Sequence, residues 1–178
     1  MTKVLVVSDS SSLILGTKAG LLDIICKEFA VQIPKKVFEE TVIEGKKLQK
    51  VDALKIEKAV EDKRISVKIV GQPKNNRLNK WADQLNLHEG EKEAIQLYIQ
   101  ENARLLLADD RQAINAAKLL EINWATIPDL IVFFAKKKKI KLQDALDSLS
   151  TAQTEGRYKL DFVLEAFNEI QKIKGGKK

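Results

Sequence analysis

The run Val4-Leu5-Val6-Val7-Ser8-Asp9-Ser10-Ser11-Ser12 decides how this chain must be built. Four apolar residues, mostly β-branched, fit a strand buried on both faces, as in parallel sheets covered by helices on either side. Parallel sheets collect ligands and chemistry beyond the carboxyl ends of their strands. Asp9 stands at such an end. Roughly a hundred residues later, Leu105-Leu106-Leu107-Ala108-Asp109-Asp110 repeats the arrangement. Set side by side as parallel neighbours, the two strands bring their terminal aspartates to one edge of the sheet.

Around these runs the hydrophobic period alternates between strand and helix. Ser10–Gly16 reads as a short helix, and Leu21, Leu22, Ile25 and Phe29 recur at helical spacing. Val31–Ile33 is a brief strand before Pro34. Pro34 then opens a helix reaching about Lys50, and a charged helix follows over Val51–Lys63. Ile65–Val70 alternates apolar and polar residues, as an edge strand does. A Gly-Gln-Pro-Lys-Asn-Asn loop leads to Leu78, Trp81, Ala82 and Leu85 at helical spacing, which makes Trp81 a core anchor. Glu89–Glu101 forms a helix with Ala94, Leu97 and Tyr98 inward, and Ala113, Ala116 and Ala117 give a small-residue face. Ile122–Ala125 is a short strand, and Thr126 with Asp129 has capping-box spacing. Leu142–Leu149 and Val163–Ile170 mark two final helices. The expected fold is α/β: three layers, α/β/α, around a mainly parallel sheet of about four to five short strands. One domain is expected over residues 1–172, with a flexible lysine-rich tail over 173–178.

Composition narrows the chemistry. With 44% hydrophobic and 31% charged residues in 178, the chain has the makeup of a globular protein with a sizeable core. The first residues carry no signal-peptide apolar region, and no stretch approaches a membrane span. The single cysteine, Cys26, cannot form an internal disulfide, so a cytoplasmic location is expected. The single histidine, His88, removes zinc sites built on several histidines. Carboxylates remain as the abundant catalytic groups, and they suit hard cations such as Mg²⁺ or Mn²⁺. The net charge of +6 permits a nucleic-acid partner without requiring one, because four lysines lie within Lys172–Lys178 alone.

By position, Glu40 and Glu93 are the carboxylates best placed to join Asp9 and Asp110. Each has an ordinary alternative. Aspartates after strands cap helices, and acids in a first helical turn complement the macrodipole. Spacing alone leaves both readings open.

Four segments together resemble the PIN domain family, in the branch related to VapC-type toxins. Asp9 after Val-Leu-Val-Val-Ser, with Ser11 two residues on, is similar to the family's opening motif. Pro34-x-x-Val37-x-x-Glu40 resembles its second acidic motif. Gly90-Glu91-x-Glu93-Ala94-Ile95 resembles the branch's Gly-Glu-x-Glu-Ala-Ile helix, and Leu105–Arg111 with Trp124-Ala-Thr126 its distal half. The resemblance covers about Lys3–Leu149. It implies a metal-dependent endoribonuclease in which Asp9, Glu40, Glu93 and Asp110 hold Mg²⁺ or Mn²⁺. Ser11 would support Asp9. Ala108 stands where the family's strand motif has a hydroxyl, and Asp109 would compensate or share the metal. Helix capping would then fall to the serines beside Asp9, and to Asp109 at the second strand end. RNA is the implied substrate, with an antitoxin protein and a homodimer as implied partners. Lys74, Arg77, Lys80 and Arg111 would line the path to the acidic edge. The alternative function is a non-catalytic PIN-like RNA-binding or scaffold protein. A receiver-like phosphorylation pocket lacks a lysine at a later strand end.

Overall fold

A computed structural model describes residues 2–71, 84–156 and 158–175. Its sheet has five strands, all parallel, in the order β3-β2-β1-β4-β5. β1 is Val4–Ser8, β2 Phe29–Pro34, β3 Ile65–Lys68, β4 Leu105–Leu107 and β5 Trp124–Ala125. The opening strand is therefore central, paired with β2 on one side and β4 on the other.

Side chains alternate between the two faces as the pleat requires. Val6 and Leu107 join one core with Val31, Ile33 and Ile65, whereas Val7, Leu106 and Ala108 join the other. The first face is covered by helices α1 (Ser10–Lys18), α4 (Val51–Glu61), α7 (Ile127–Lys136), α8 (Leu142–Gly156) and α9 (Leu160–Gly175). α2 (Leu22–Glu28) adds Ile25 and Cys26 to this core. The second face is covered by α5 (Glu89–Gln100) and α6 (Arg111–Leu119). Ala113, Ala116 and Ala117 are buried there, so small side chains let α6 lie close to the sheet. This is the three-layer α/β/α arrangement.

Local differences from the sequence reading have physical causes. Phe29 leaves the helical stripe of α2 and starts β2, pairing with Val4 and stacking on Phe133 at 6.3 Å. The helix after Pro34 is not uniform. α3 begins as Lys35–Phe38, widens into a π-helical stretch over Glu39–Glu44 and closes with Gly45–Lys47. Within it the Thr41 hydroxyl donates to the Val37 carbonyl at 2.7 Å, a bond that competes with the helix ladder. π turns concentrate at functional sites, and this one carries Glu40. α9 continues to Gly175. Among the described residues, no helix is long and apolar enough to cross a membrane. The expected Leu78–Leu85 helix falls largely outside the described residues, with Trp81, Lys74, Arg77 and Lys80.

Candidate acidic site at the strand ends

β1 and β4 end in register, with Ser8 beside Leu107. The Asp9 backbone N–H donates to the Leu107 carbonyl at 3.1 Å, so the first aspartate is carried by the sheet itself. Asp9 is 1% exposed. Its Oδ1 accepts from the Ser12 N–H at 2.8 Å and from the Ser11 hydroxyl at 3.0 Å. Asp9 is thus the N-cap of α1, a role the sequence reading gave to the neighbouring serines. The cap uses one oxygen only. Among the described residues, the buried Oδ2 has no hydrogen-bond partner. Burial, with the nearby Asp110 charge as a smaller contribution, pushes the Asp9 carboxyl up to about 6 against the lowering effect of its serine bonds.

The second strand end divides the same tasks between two residues. Asp110 caps α6, its Oδ1 accepting from the Gln112 N–H at 2.7 Å. Asp109 does not cap that helix, contrary to expectation. Its Oδ1 reaches across to the Ile127 N–H at 3.0 Å, at the start of α7. Its Oδ2 is buried and, among the described residues, without a partner. Burial raises the Asp109 carboxyl to about 7. The Ser12 hydroxyl lies close enough to the Asp9 and Asp109 carboxyls to lower both, without a well-aligned bond to either.

Glu91 is the residue that the sequence reading passed over. It lies on the buried side of α5, and its Oε2 accepts from the His88 N–H at 3.0 Å. Burial, followed by the charges of Asp110 and Asp9, pushes its carboxyl up to about 7. The closeness of the Asp110 carboxyl adds to the rise. A signal for it existed in the sequence. Glu91 stands three and four residues before Ala94 and Ile95, at the spacing of the inward stripe. Glu93, the expected ligand, lies on the Glu40 side of α5: its Oε2 accepts from the Lys36 N–H at 3.2 Å, at the start of the helix that carries Glu40.

Glu40 sits between three elements. Its Oε2 accepts a hydrogen bond from the Ser10 hydroxyl on α1, and its carboxylate packs directly over Gly90 on α5. A Cβ at Gly90 would collide with that carboxylate, so the glycine is what allows the close approach. Asp9, Asp110 and Glu91 are thus electrostatic neighbours, Glu40 borders them through Ser10 and Gly90, and Glu93 is tied to a backbone amide.

Do these residues suit a divalent cation? The donors are all hard carboxylate oxygens, and two buried ones lack a partner, which is costly unless a ligand meets them. Among the described residues, no three such side chains converge closely enough to hold one ion. The donor chemistry fits a hard divalent cation.

No curated protein matches the chain. A family profile described as a PIN domain matches residues 5–171.

Proposed function

The chain belongs to the PIN domain family, a nuclease fold, and from that premise we propose that it is a divalent-metal-dependent ribonuclease. The observation that carries the reading is the pair of buried oxygens on Asp9 and Asp109 that have no partner among the described residues, beside the raised carboxyl of Glu91. Asp9, Glu91 and Asp110 would hold Mg²⁺ or Mn²⁺, with Glu40 at the border and Asp109 behind. Glu93 enters as the residue that fixes the start of α3. Bound there, a divalent cation offsets phosphate charge and makes water more acidic. The chain's own contribution is to hold these oxygens with little freedom to reorganise. Ser11 and Ser12 fix Asp9, Gln112 fixes Asp110, and His88 fixes Glu91.

The test uses end-labelled single-stranded RNA and DNA with Mg²⁺ or Mn²⁺, together with calorimetric titration of Mn²⁺. RNA cleavage that needs the metal and disappears in Asp9→Asn supports the reading. Tight RNA binding with no cleavage would instead favour a non-catalytic RNA-binding or scaffold role. An antitoxin partner, a homodimer and a cytoplasmic setting complete the proposal. Leu160, Leu164 and Phe167, exposed along α9, supply an apolar face suited to a protein partner. Sedimentation of the purified chain checks the dimer.

A further inference from the structure

Next to the acidic edge lies a cleft of about 840 Å³ that the carboxylate chemistry does not use. Asp109 and Asp110 line its inner end. Its walls are α1, α6, Trp124 of β5, and the turn between α8 and α9. Three aromatic rings face it: Trp124, Tyr158 and Phe162, the last two stacked with centroids 5.4 Å apart. Three cationic side chains, Arg111, Lys118 and Lys159, border it as well. Lys18 is at the rim but is held by Glu155 at 2.6 Å.

The turn that carries Tyr158 is built for close packing. A Cβ on Gly156 would lie 2.6 Å from the Tyr158 ring and 2.9 Å from Leu15, so only glycine lets the ring fold over the end of α8. Among the described residues, the buried Tyr158 hydroxyl has no hydrogen-bond partner. The Trp124 indole is covered by the Lys118 ammonium, 5.4 Å from the ring centroid. That cover is the end of a flexible, exposed side chain.

We propose that this cleft is a base-binding subsite for single-stranded RNA, holding the nucleobase next to the phosphate that reaches the acidic edge. The choice of ligand rests on the nuclease reading above. The mixture of residues fits a nucleotide. Aromatic faces accept a base of any sequence, and cations alongside meet the backbone. The anionic end formed by Asp109 and Asp110 would repel a bare phosphate, which makes the cleft a place for a base and leaves its cationic rim for the phosphates. On binding, the base replaces the Lys118 ammonium over Trp124, and the freed ammonium pairs with a phosphate. An apolar protein segment would gain from the rings but would leave Arg111, Lys118 and Lys159 unmatched.

The experiment uses Asp9→Asn protein in EDTA, so that binding is read without cleavage, with Trp81→Phe leaving Trp124 as the reporting indole. The probes are octauridylate, octaadenylate and an abasic ribose-phosphate octamer. Both base-bearing RNAs should quench the indole and bind about tenfold or more tightly than the abasic chain. Lys118→Gln should keep the quench and flatten the salt dependence by roughly 0.7 in log–log slope, the loss of one phosphate contact. Trp124→Ala should weaken base-bearing RNA about tenfold, with the abasic chain unchanged. Equal affinity for abasic and base-bearing chains, or binding that leaves the indole unquenched, overturns the subsite. An apolar helical peptide that quenches Trp124 when RNA does not would reassign the cleft to protein docking. Quenching by RNA in a protein whose wild-type form never cleaves would retain the subsite and remove the ribonuclease reading.

Discussion

The two central strands end in acid, and they use it differently. At the end of β1 one residue does two jobs, since Asp9 caps α1 through Oδ1 and leaves Oδ2 without a partner among the described residues. At the end of β4 the jobs are separated. Asp110 caps α6, and Asp109 braces α7 while its other oxygen stays buried and, among the described residues, without a partner. A single aspartate that both closes a helix and presents an oxygen has its orientation fixed by the backbone. A pair can place the second carboxylate independently of the cap. Capping and a second, uncommitted oxygen are compatible in one side chain, because a carboxylate has two oxygens and the cap needs one.

The largest expected effect tests the β1 side. Asp9→Asn keeps an oxygen for the cap and removes the charge, so RNA cleavage should fall on the order of 10²–10³-fold while the melting temperature of the metal-free protein holds or rises. A variant that unfolds instead would show that the carboxylate is structural. Next comes pH, where the two strand ends act together. In the unfolded chain, aspartate and glutamate titrate near their ordinary 3.8 and 4.5, whereas the folded values are about 6 for Asp9 and about 7 for Asp109 and Glu91. Between those limits the folded state holds more protons, so its stability falls as pH rises from about 4 to about 7. Asp9 alone contributes on the order of 3 kcal/mol to that loss. Metal-free protein should therefore unfold at lower urea concentration at pH 8 than at pH 5, and Mn²⁺ should restore stability at pH 8. A midpoint that climbs with pH would contradict the buried-acid picture.

Gly90→Ala follows, with an expected cost of about 1 kcal/mol or less in chemical denaturation, because the new methyl displaces only the far end of the flexible Glu40 side chain and alanine favours the helix. Asp110→Ala should cost about 1 kcal/mol through the lost cap and, with the Glu91 contact gone, lower the Glu91 titration midpoint followed by carbon-13 NMR. The smallest effect belongs to Glu93→Gln. The amide oxygen still accepts from Lys36, so stability should drop by about 0.5 kcal/mol or less and calorimetric Mn²⁺ binding should be unchanged. Loss of Mn²⁺ binding in that variant would return Glu93 to the site in place of Glu91.

Much of this frame was legible before any coordinates. Val4–Ser8 and Leu105–Leu107 announce buried parallel strands because nothing polar interrupts them, and the acids follow at once. The choice between Glu91 and Glu93 was not legible from the motif, since Gly90-Glu91-x-Glu93 contains both within one turn. Helical phase does not separate them either, since Glu91 precedes Ala94 and Ile95 while Glu93 precedes Leu97 on the same inward stripe. The π-helical widening at Glu39–Glu44 left no mark in the hydrophobic period, because Val37, Thr41 and Val42 look inward in either geometry. The exchange of roles between Asp109 and Asp110 depends on where the α7 amide at Ile127 arrives, a tertiary fact that neighbouring residues cannot encode. The aromatic cleft was equally hidden, since Trp124 and Tyr158 lie in separate segments joined only by folding.

Because β1 is central, its two neighbours are made at very different times. β2 follows within a few dozen residues, whereas Val6 must wait for Leu105 before its other edge is paired. Distant pairings of this kind close slowly and late. While the chain is emerging from a ribosome, Asp9, Glu40 and Glu91 are already present, yet no acidic edge exists until β4 arrives with Asp109 and Asp110. The half-made protein can begin to fold around β1 and β2, but it cannot assemble the carboxylates that meet at the strand ends. Strand order thus makes the meeting of Asp9 with Asp109 and Asp110 wait on the distant pairing of β1 with β4.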